Sequence, residues 1–223
     1  MRPFVFIMCG STIDGKITIR QGTSSKIFGK ILKKEKGFKE MTEKLYQKRA
    51  QSDGIMVGSK TIIIDNPSLR AKNKDLVRVI PDAKGEIPLN SNIFIDGGKT
   101  IIGITKRTPK SYIRELKKKC IKIVLCGSGP NIDLSLLMKK LYLIGIRKLM
   151  VEGGGTLNWN LISKGLVDEI IVVTFPLLVG GLKTPTICDG DGIEDINEII
   201  FAKLIRVYRT DSFVLKRYKL NQK

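Results

Sequence analysis

Val151-Glu152-Gly153-Gly154-Gly155-Thr156-Leu157-Asn158-Trp159-Asn160 is the stretch that decides the fold. It follows an apolar, β-rich run at 148–151 and opens a helical one at 156–164, which Gly165 stops and Leu166 follows. Glycines at a strand-to-helix junction let the backbone approach a ligand closely. The N–H groups at the start of such a helix cradle phosphate, helped by the helix dipole. The spacing is not the G-x-G-x-x-G of dinucleotide-binding turns, and a tight connection without a ligand is the plainer alternative. A phosphate would repel Glu152, which is therefore expected to face a different group.

The same alternation extends in both directions. Apolar β-rich runs occur at 4–8, 54–58, 77–80, 100–105, 121–126, 148–151, 169–174 and 213–218. Helical stretches lie between several of them. The one at 135–144 carries Leu137, Leu141 and Ile144 on one face, has Asp133 as a plausible N-cap and stops at Gly145. Another, at 109–119, has a proline near its start. Strand–helix–strand units of this length imply an α/β fold with a mostly parallel central sheet flanked by helices. The last third changes character. Runs at 199–208 and 212–218, joined by Arg209-Thr210-Asp211, read as an antiparallel hairpin at the sheet edge.

The chain has 223 residues, 42% of them hydrophobic, enough for one large core, and no linker or repeat interrupts it. A single domain, 1–223, is expected. No apolar run approaches the roughly 20 residues of a spanning helix. The apolar start at 4–8 runs into Gly10 and Asp14, so it reads as a first strand rather than a signal peptide, and a cytoplasmic, membrane-free protein is expected. Four cysteines without C-x-x-C spacing, and no histidine, argue against a metal site. The missing histidine also removes the usual near-neutral acid or base, leaving carboxyl, Lys, Tyr, Cys or water for proton transfer. The net charge of +19 admits two readings, nucleic-acid binding or an enzyme with phosphorylated ligands. The lysines are spread along the chain, without interleaved aromatics, as on a solvated surface.

Two further segments carry polar groups where α/β sheets bind ligands. Gly58-Ser59-Lys60-Thr61-Ile62-Ile63-Ile64-Asp65-Asn66-Pro67-Ser68-Leu69 places a polar turn after a strand ending at Gly58. Its Asp-Asn-Pro is also ordinary turn chemistry. Ser11-Thr12-Ile13-Asp14-Gly15-Lys16 offers a hydroxyl, a carboxylate and an ammonium, or else a hairpin turn built on Asp14-Gly15.

In this order, the segments resemble the riboflavin-biosynthesis reductase family. That family includes free-standing archaeal and fungal reductases and the C-terminal half of the bacterial bifunctional deaminase-reductase. Its run T-x-D-G-K, R-A-x-x-D, G-x-x-T-x-x-x-D-[DN]-P-x-L and E-G-G-x-x-L is met by residues 12–16, 49–53, 58–69 and 152–157. Leu166-Val167-Asp168-Glu169 and Gly180-Gly181 fit as well. The resemblance covers almost the whole chain, includes no deaminase part, and is nearest to the archaeal single-domain form.

It implies a dihydrofolate-reductase-like fold, a homodimer, no metal, and NADPH as cofactor, with NADH as the other nicotinamide. Thr61 and Asp65 take the place of residues on the nicotinamide side. Ala83 stands where a serine often lies near the adenosine 2′-phosphate, with Lys84 beside it to supply charge. Gly153, Gly154, Gly155, Thr156 and Leu157 correspond to the pyrophosphate turn, and Ile27 to an apolar cofactor contact. Ser25, Arg49, Leu69, Lys72 and Glu152 correspond to substrate positions, Lys72 replacing a frequent arginine. Tyr46 stands where relatives often have histidine, and the stretch 28–39 is longer and more basic than expected, as a flap or a surface helix. Arg49 and Lys72 are expected to bind the substrate phosphate. Asp14 is the candidate for proton handling or substrate orientation, with Glu152 as a second catalytic candidate. The implied reaction is reduction of 2,5-diamino-6-(ribosylamino)-4(3H)-pyrimidinone 5′-phosphate to its ribitylamino product. The alternatives are a pterin reductase of dihydrofolate-reductase type and, more distantly, a basic nucleic-acid-binding protein.

Overall fold

The computed structural model describes residues 1–71 and 75–221. These fall into two compact units. One comprises Met1–Phe4 and Tyr46–Met150, the other Val5–Leu45 and Val151–Lys223.

The first unit is built from parallel strand–helix repeats. Its strands are β2 (Gly54–Val57), β3 (Val77–Pro81), β4 (Thr100–Ile104) and β5 (Lys122–Leu125), in the order β5-β4-β3-β2, and every neighbouring pair is parallel. Asp53 N donates to Lys148 O at 2.9 Å, which ties the start of β6 (Lys148–Gly153) to the entrance of β2. β2 and β4 are buried along their whole length, the condition of parallel strands covered on both faces, and that is why they read as unbroken apolar runs. α3 (Ser59–Asp65), α4 (Asn92–Ile95), α5 (Lys110–Lys118) and α6 (Leu134–Leu143) fill the connections. The core joins Ile55, Val57, Ile62, Ile80, Ile102 and Leu116 in one cluster.

α6 shows how the local sequence sets an element. Asp133 caps it by accepting the Leu136 N–H at 2.9 Å. Leu137, Met138 and Leu141 form its buried side. Gly145, at φ 99°, ends it, and the Ile146 N–H closes back on Leu141 O at 3.1 Å.

In the second unit, β1 (Phe4–Ser11) pairs parallel with β7 (Glu169–Thr174). β7 pairs antiparallel with β9 (Val214–Leu220), which in turn pairs antiparallel with β8 (Ala202–Arg209). The expected C-terminal hairpin is therefore present, with β8 last in the order. α1 (Lys26–Leu32), α2 (Phe38–Ala50) and α7 (Gly155–Ile162) are the helices here, α2 and β6 running across the division between units. A chain of edge-on aromatic contacts, Phe28–Phe175 at 5.9 Å and Phe175–Phe213 at 6.2 Å, ties α1 to the segment after β7 and to the hairpin. Gly10 is required in β1, because a Cβ there would lie 2.0 Å from the Phe175 ring.

One local expectation is corrected, and one left open is narrowed. The polar turn expected after Gly58 is a helix over seven residues, α3, and only at Asn66, with φ 39°, does the chain turn. Three consecutive β-branched isoleucines disguised it, since their stiffness favours strands. The basic stretch 28–39 is helical at both ends, with Phe28 and Leu32 buried and its lysines outside.

Candidate active site

In the first unit, Thr61 and Asp65 are four residues apart on α3 and so share one face. The left-handed Asn66 ends that helix and feeds the segment 66–71, which is fastened along its length. Asn66 Oδ1 accepts the Asn92 N–H and Asn66 O accepts Asn92 Nδ2, both at 2.8 Å. Leu69 is buried and left-handed, φ 51°. Arg49, in the last turn of α2, donates from Nη1 to Arg70 O at 3.2 Å. The structure thus brings Arg49 and the Leu69 segment together. Lys72 lies outside the described residues.

Beneath this segment sits Arg78 of β3, 1% exposed. Its Nη1 donates to Asp96 Oδ1 at 2.7 Å and to Ser68 O at 3.1 Å, and its Nη2 to Gly98 O at 2.6 Å and Ile93 O at 3.1 Å. Burial opposes the charge on Asp96, yet hydrogen bonds from Arg78 and the Gly98 N–H, with the charges of Arg78 and Arg70, outweigh it and hold the carboxyl below its ordinary range. Gly98 has to be glycine, since a Cβ would lie 2.6 Å from the Arg78 guanidinium.

The turn after β3 carries Ala83 and Lys84. Asp82, buried, accepts the N–H groups of Gly85 (3.1 Å), Glu86 (3.3 Å) and Ile87 (3.4 Å) and the Tyr112 hydroxyl (2.9 Å). Burial, then the Asp82 charge and hydrogen bond, push the Tyr112 hydroxyl pKa up, so it remains a donor. Ala83 O accepts Thr108 Oγ1 at 2.7 Å, which ties this turn to the loop after β4. Lys84 is exposed, its ammonium 3.8 Å from Glu86.

In the second unit, residues 12–16 form the turn on Asp14-Gly15. Thr12 N–H donates to Lys16 O at 2.9 Å, Thr12 Oγ1 accepts the Lys16 N–H at 2.9 Å, and Gly15 has φ 78°. The turn is also bracketed to a distant loop. Asp14 accepts Thr12 Oγ1 at 2.5 Å, the Gly180 N–H at 2.6 Å and the Val179 N–H at 3.3 Å, while Lys16 Nζ donates to Gly181 O at 2.9 Å. The Thr12 hydroxyl first, then the Gly180 N–H, lower the Asp14 pKa to about 2. At neutral pH Asp14 is a carboxylate that orders two loops, which suits orientation and not proton donation.

The glycine turn joins β6 to α7. Gly153 (φ 87°) and Gly154 (φ 82°) are left-handed, and the first helical bond runs from Asn158 N to Gly154 O at 3.0 Å. The N–H groups of Gly155, Thr156 and Leu157 precede that bond and point out of the helix start. A Cβ on Gly155 would lie 2.2 Å from Asp189 Oδ2, and one on Gly153 would lie 2.9 Å from the Asn158 amide. Both glycines are therefore required by the protein's own close packing, Gly155 against Asp189 and Gly153 against Asn158. Glu152 is still on the strand, between buried Val151 and Gly153, so strand alternation puts its side chain on the other face. Ser25 stands at the N-cap of α1 with helical dihedrals, its hydroxyl not capping the helix, and Ile27 is half-buried in the first turn.

The RibD C-terminal domain family matches residues 3–214. The chain belongs to that family. A 2,5-diamino-6-ribosylamino-4(3H)-pyrimidinone 5′-phosphate reductase of Aquifex aeolicus is 36% identical over 207 residues, 91% of this chain and 90% of the relative. A protein of the same name from Methanothermobacter thermautotrophicus is 34% identical over 98% of both chains. Among solved structures, Acinetobacter baumannii RibD superposes with a TM-score of 0.79 at 22% identity, over 99% of this chain and 58% of that one. The Saccharomyces riboflavin biosynthesis reductase Rib7 gives 0.70 at 20%, over 99% and 90%. The RibD-type fold is shared with both.

Sequence reasoning missed the residues that hold these segments: Arg70, Arg78, Asp82, Asp96 and Asp189. Arg78 alone left a signal, a charge inside the apolar run Val77-Arg78-Val79-Ile80. The others stand in loops; Arg70 and Asp96 are partners distant in sequence, whereas Asp82 and Asp189 bond mainly within their own loops.

Proposed function

We propose that this chain is a cytoplasmic, NADPH-dependent reductase that converts 2,5-diamino-6-(ribosylamino)-4(3H)-pyrimidinone 5′-phosphate into its ribitylamino product, with residues 1–223 acting as one reductase domain. The observation that carries the reading is near full-length similarity, 34–36%, to two proteins bearing that reductase name. A nicotinamide cofactor, when bound, would supply a hydride to the former anomeric carbon of the ring-opened imine, whose nitrogen would take its proton from water.

The protein's part is to bind, orient and exclude. Gly153 to Leu157 hold the pyrophosphate on the N–H groups of α7, with Ile27 as an apolar cofactor contact. Thr61 and Asp65 meet the nicotinamide side. Ala83 and Lys84 lie toward the 2′-phosphate, and Lys84→Ala is expected to lower the preference for NADPH over NADH in paired kinetic measurements. Arg49 and Lys72 take the substrate phosphate. Leu69, Ser25 and Glu152 contact the rest of the substrate, and Asp14 orients it as a carboxylate. The +19 charge serves anionic small ligands rather than nucleic acid.

A homodimer fits the exposed apolar side chains of the terminal strand β8, Leu204 and Val207, each about half exposed. Sedimentation velocity is expected to show a dimer that a Leu204→Lys, Val207→Lys variant loses.

NADPH consumption with enzymatically generated substrate tests the reaction. Turnover that is absent with dihydrofolate supports the assignment. A folded protein that binds NADPH but does not turn over would keep the cofactor and overturn the substrate.

A further inference from the structure

We infer that Arg70 is a positioning residue for substrate binding, acting through Arg49. The inference rests on the reading of Arg49 as a phosphate ligand.

Arg70 is the joint between two layers of the first unit. Above, its carbonyl accepts Arg49 Nη1 at 3.2 Å. Below, its side chain grips Asp96 twice, Nε to Oδ2 at 3.2 Å and Nη2 to the main-chain oxygen at 2.7 Å. Asp96 is in turn locked by Arg78, whose guanidinium is buried and also takes Ser68 O, two residues before Arg70. The carbonyl that orients Arg49 therefore belongs to a segment pinned on either side, by Ser68 to Arg78 and by the Arg70 side chain to Asp96. Leu69 lies between these pins in a left-handed conformation, which a leucine keeps only where its surroundings over-determine it. A long arginine samples many rotamers, and a fixed acceptor on one nitrogen reduces that freedom before the phosphate arrives.

Arg70 itself is 63% exposed, so its removal does not open the core. The relay then loses its upper half while Arg78–Asp96 stays paired. Losing one oriented charge-assisted contact at a binding arginine corresponds to a KM change of about tenfold.

The test is a double-mutant cycle on the full-length protein, Arg49→Ala, Arg70→Ala and both together, with thermal unfolding as a check on folding. Arg70→Ala is expected to raise the KM for the ribosylaminopyrimidine phosphate about tenfold, with kcat and NADPH affinity unchanged. In the Arg49→Ala background it should add almost nothing. An unchanged KM in Arg70→Ala, beside a raised KM in Arg49→Ala, overturns the positioning role and leaves the Arg49 assignment standing. Independent, multiplying effects overturn it as well, since Arg70 would then touch substrate directly. No effect of Arg49→Ala removes the phosphate assignment and the inference with it.

Discussion

The two units fasten their candidate-site loops by opposite means. In the first, the segment 66–71 rests on an ion pair taken out of water, with Arg78 1% exposed and its guanidinium donating to five oxygens, both of the Asp96 carboxylate and the main-chain oxygens of Ser68, Ile93 and Gly98. In the second, the 12–16 turn is tied to Gly180 and Gly181 through Asp14 and Lys16, at the surface. Buried charge makes the first scaffold rigid and expensive to break, because a lost partner leaves an uncompensated charge in low dielectric. Exposed charge makes the second cheap to break, because water replaces the partner. Stability thus resides in one attachment, and adjustability in the other.

The sharpest way to break the contrast is Arg78→Ala. Removing the buried guanidinium leaves Asp96 with only the exposed Arg70 as counter-charge and the oxygens of Ser68, Ile93 and Gly98 without that donor, and should cost about 3–5 kcal/mol, read as a lower midpoint in denaturant unfolding. A loss below about 1 kcal/mol would mean that water reaches Asp96 and that the first scaffold resembles the second. Next in size is Gly154→Asp, which forces a left-handed aspartate and adds a negative charge in the glycine turn. NADPH affinity should fall at least about tenfold, the equivalent of roughly 1.4 kcal/mol, by fluorescence titration. Unaltered affinity would place the cofactor elsewhere. Tyr112→Phe removes one donor from buried Asp82 and should cost about 1–2 kcal/mol in thermal unfolding. If the 82–87 turn carries the 2′-phosphate contact, the NADPH-to-NADH preference should fall with it.

The smallest effect at neutral pH is expected from Asp14→Asn, and it is the most informative about pH. Folding lowers the Asp14 pKa from the ordinary 3.8 to about 2. A depressed carboxyl contributes stability that is present above the unfolded pKa and lost as pH falls through the folded one. The contribution should fade between about pH 4 and pH 2, and the Asn variant should lack that part of the acid unfolding curve. Equal acid curves would show that Asp14 has the same environment folded and unfolded.

Much of the architecture was legible because burial on both faces leaves a mark in composition. The all-buried strand β4 stands out as Thr100-Ile101-Ile102-Gly103-Ile104, and α6 was bounded by its Asp133 cap and Gly145 stop. α3 was illegible because Ile62-Ile63-Ile64 prefer extended backbone, and only Ile62 is buried while Ile63 and Ile64 are about 40% exposed. α2 was illegible because Met41 is its only buried residue, too few apolar positions to show a helical period.

The candidate site divides in the same way. By itself the sequence determined which backbone segments can approach a ligand, since glycine at 153 and 154 is a local requirement of left-handed dihedrals. It also determined the family, through residue types in a fixed order. Only the tertiary structure decided what those segments lean on: Asp96 under Arg70, Asp189 against Gly155, Gly180 on Asp14. The reason is physical. A dihedral preference belongs to one residue, whereas a hydrogen bond between positions 14 and 180 exists only after the chain has folded.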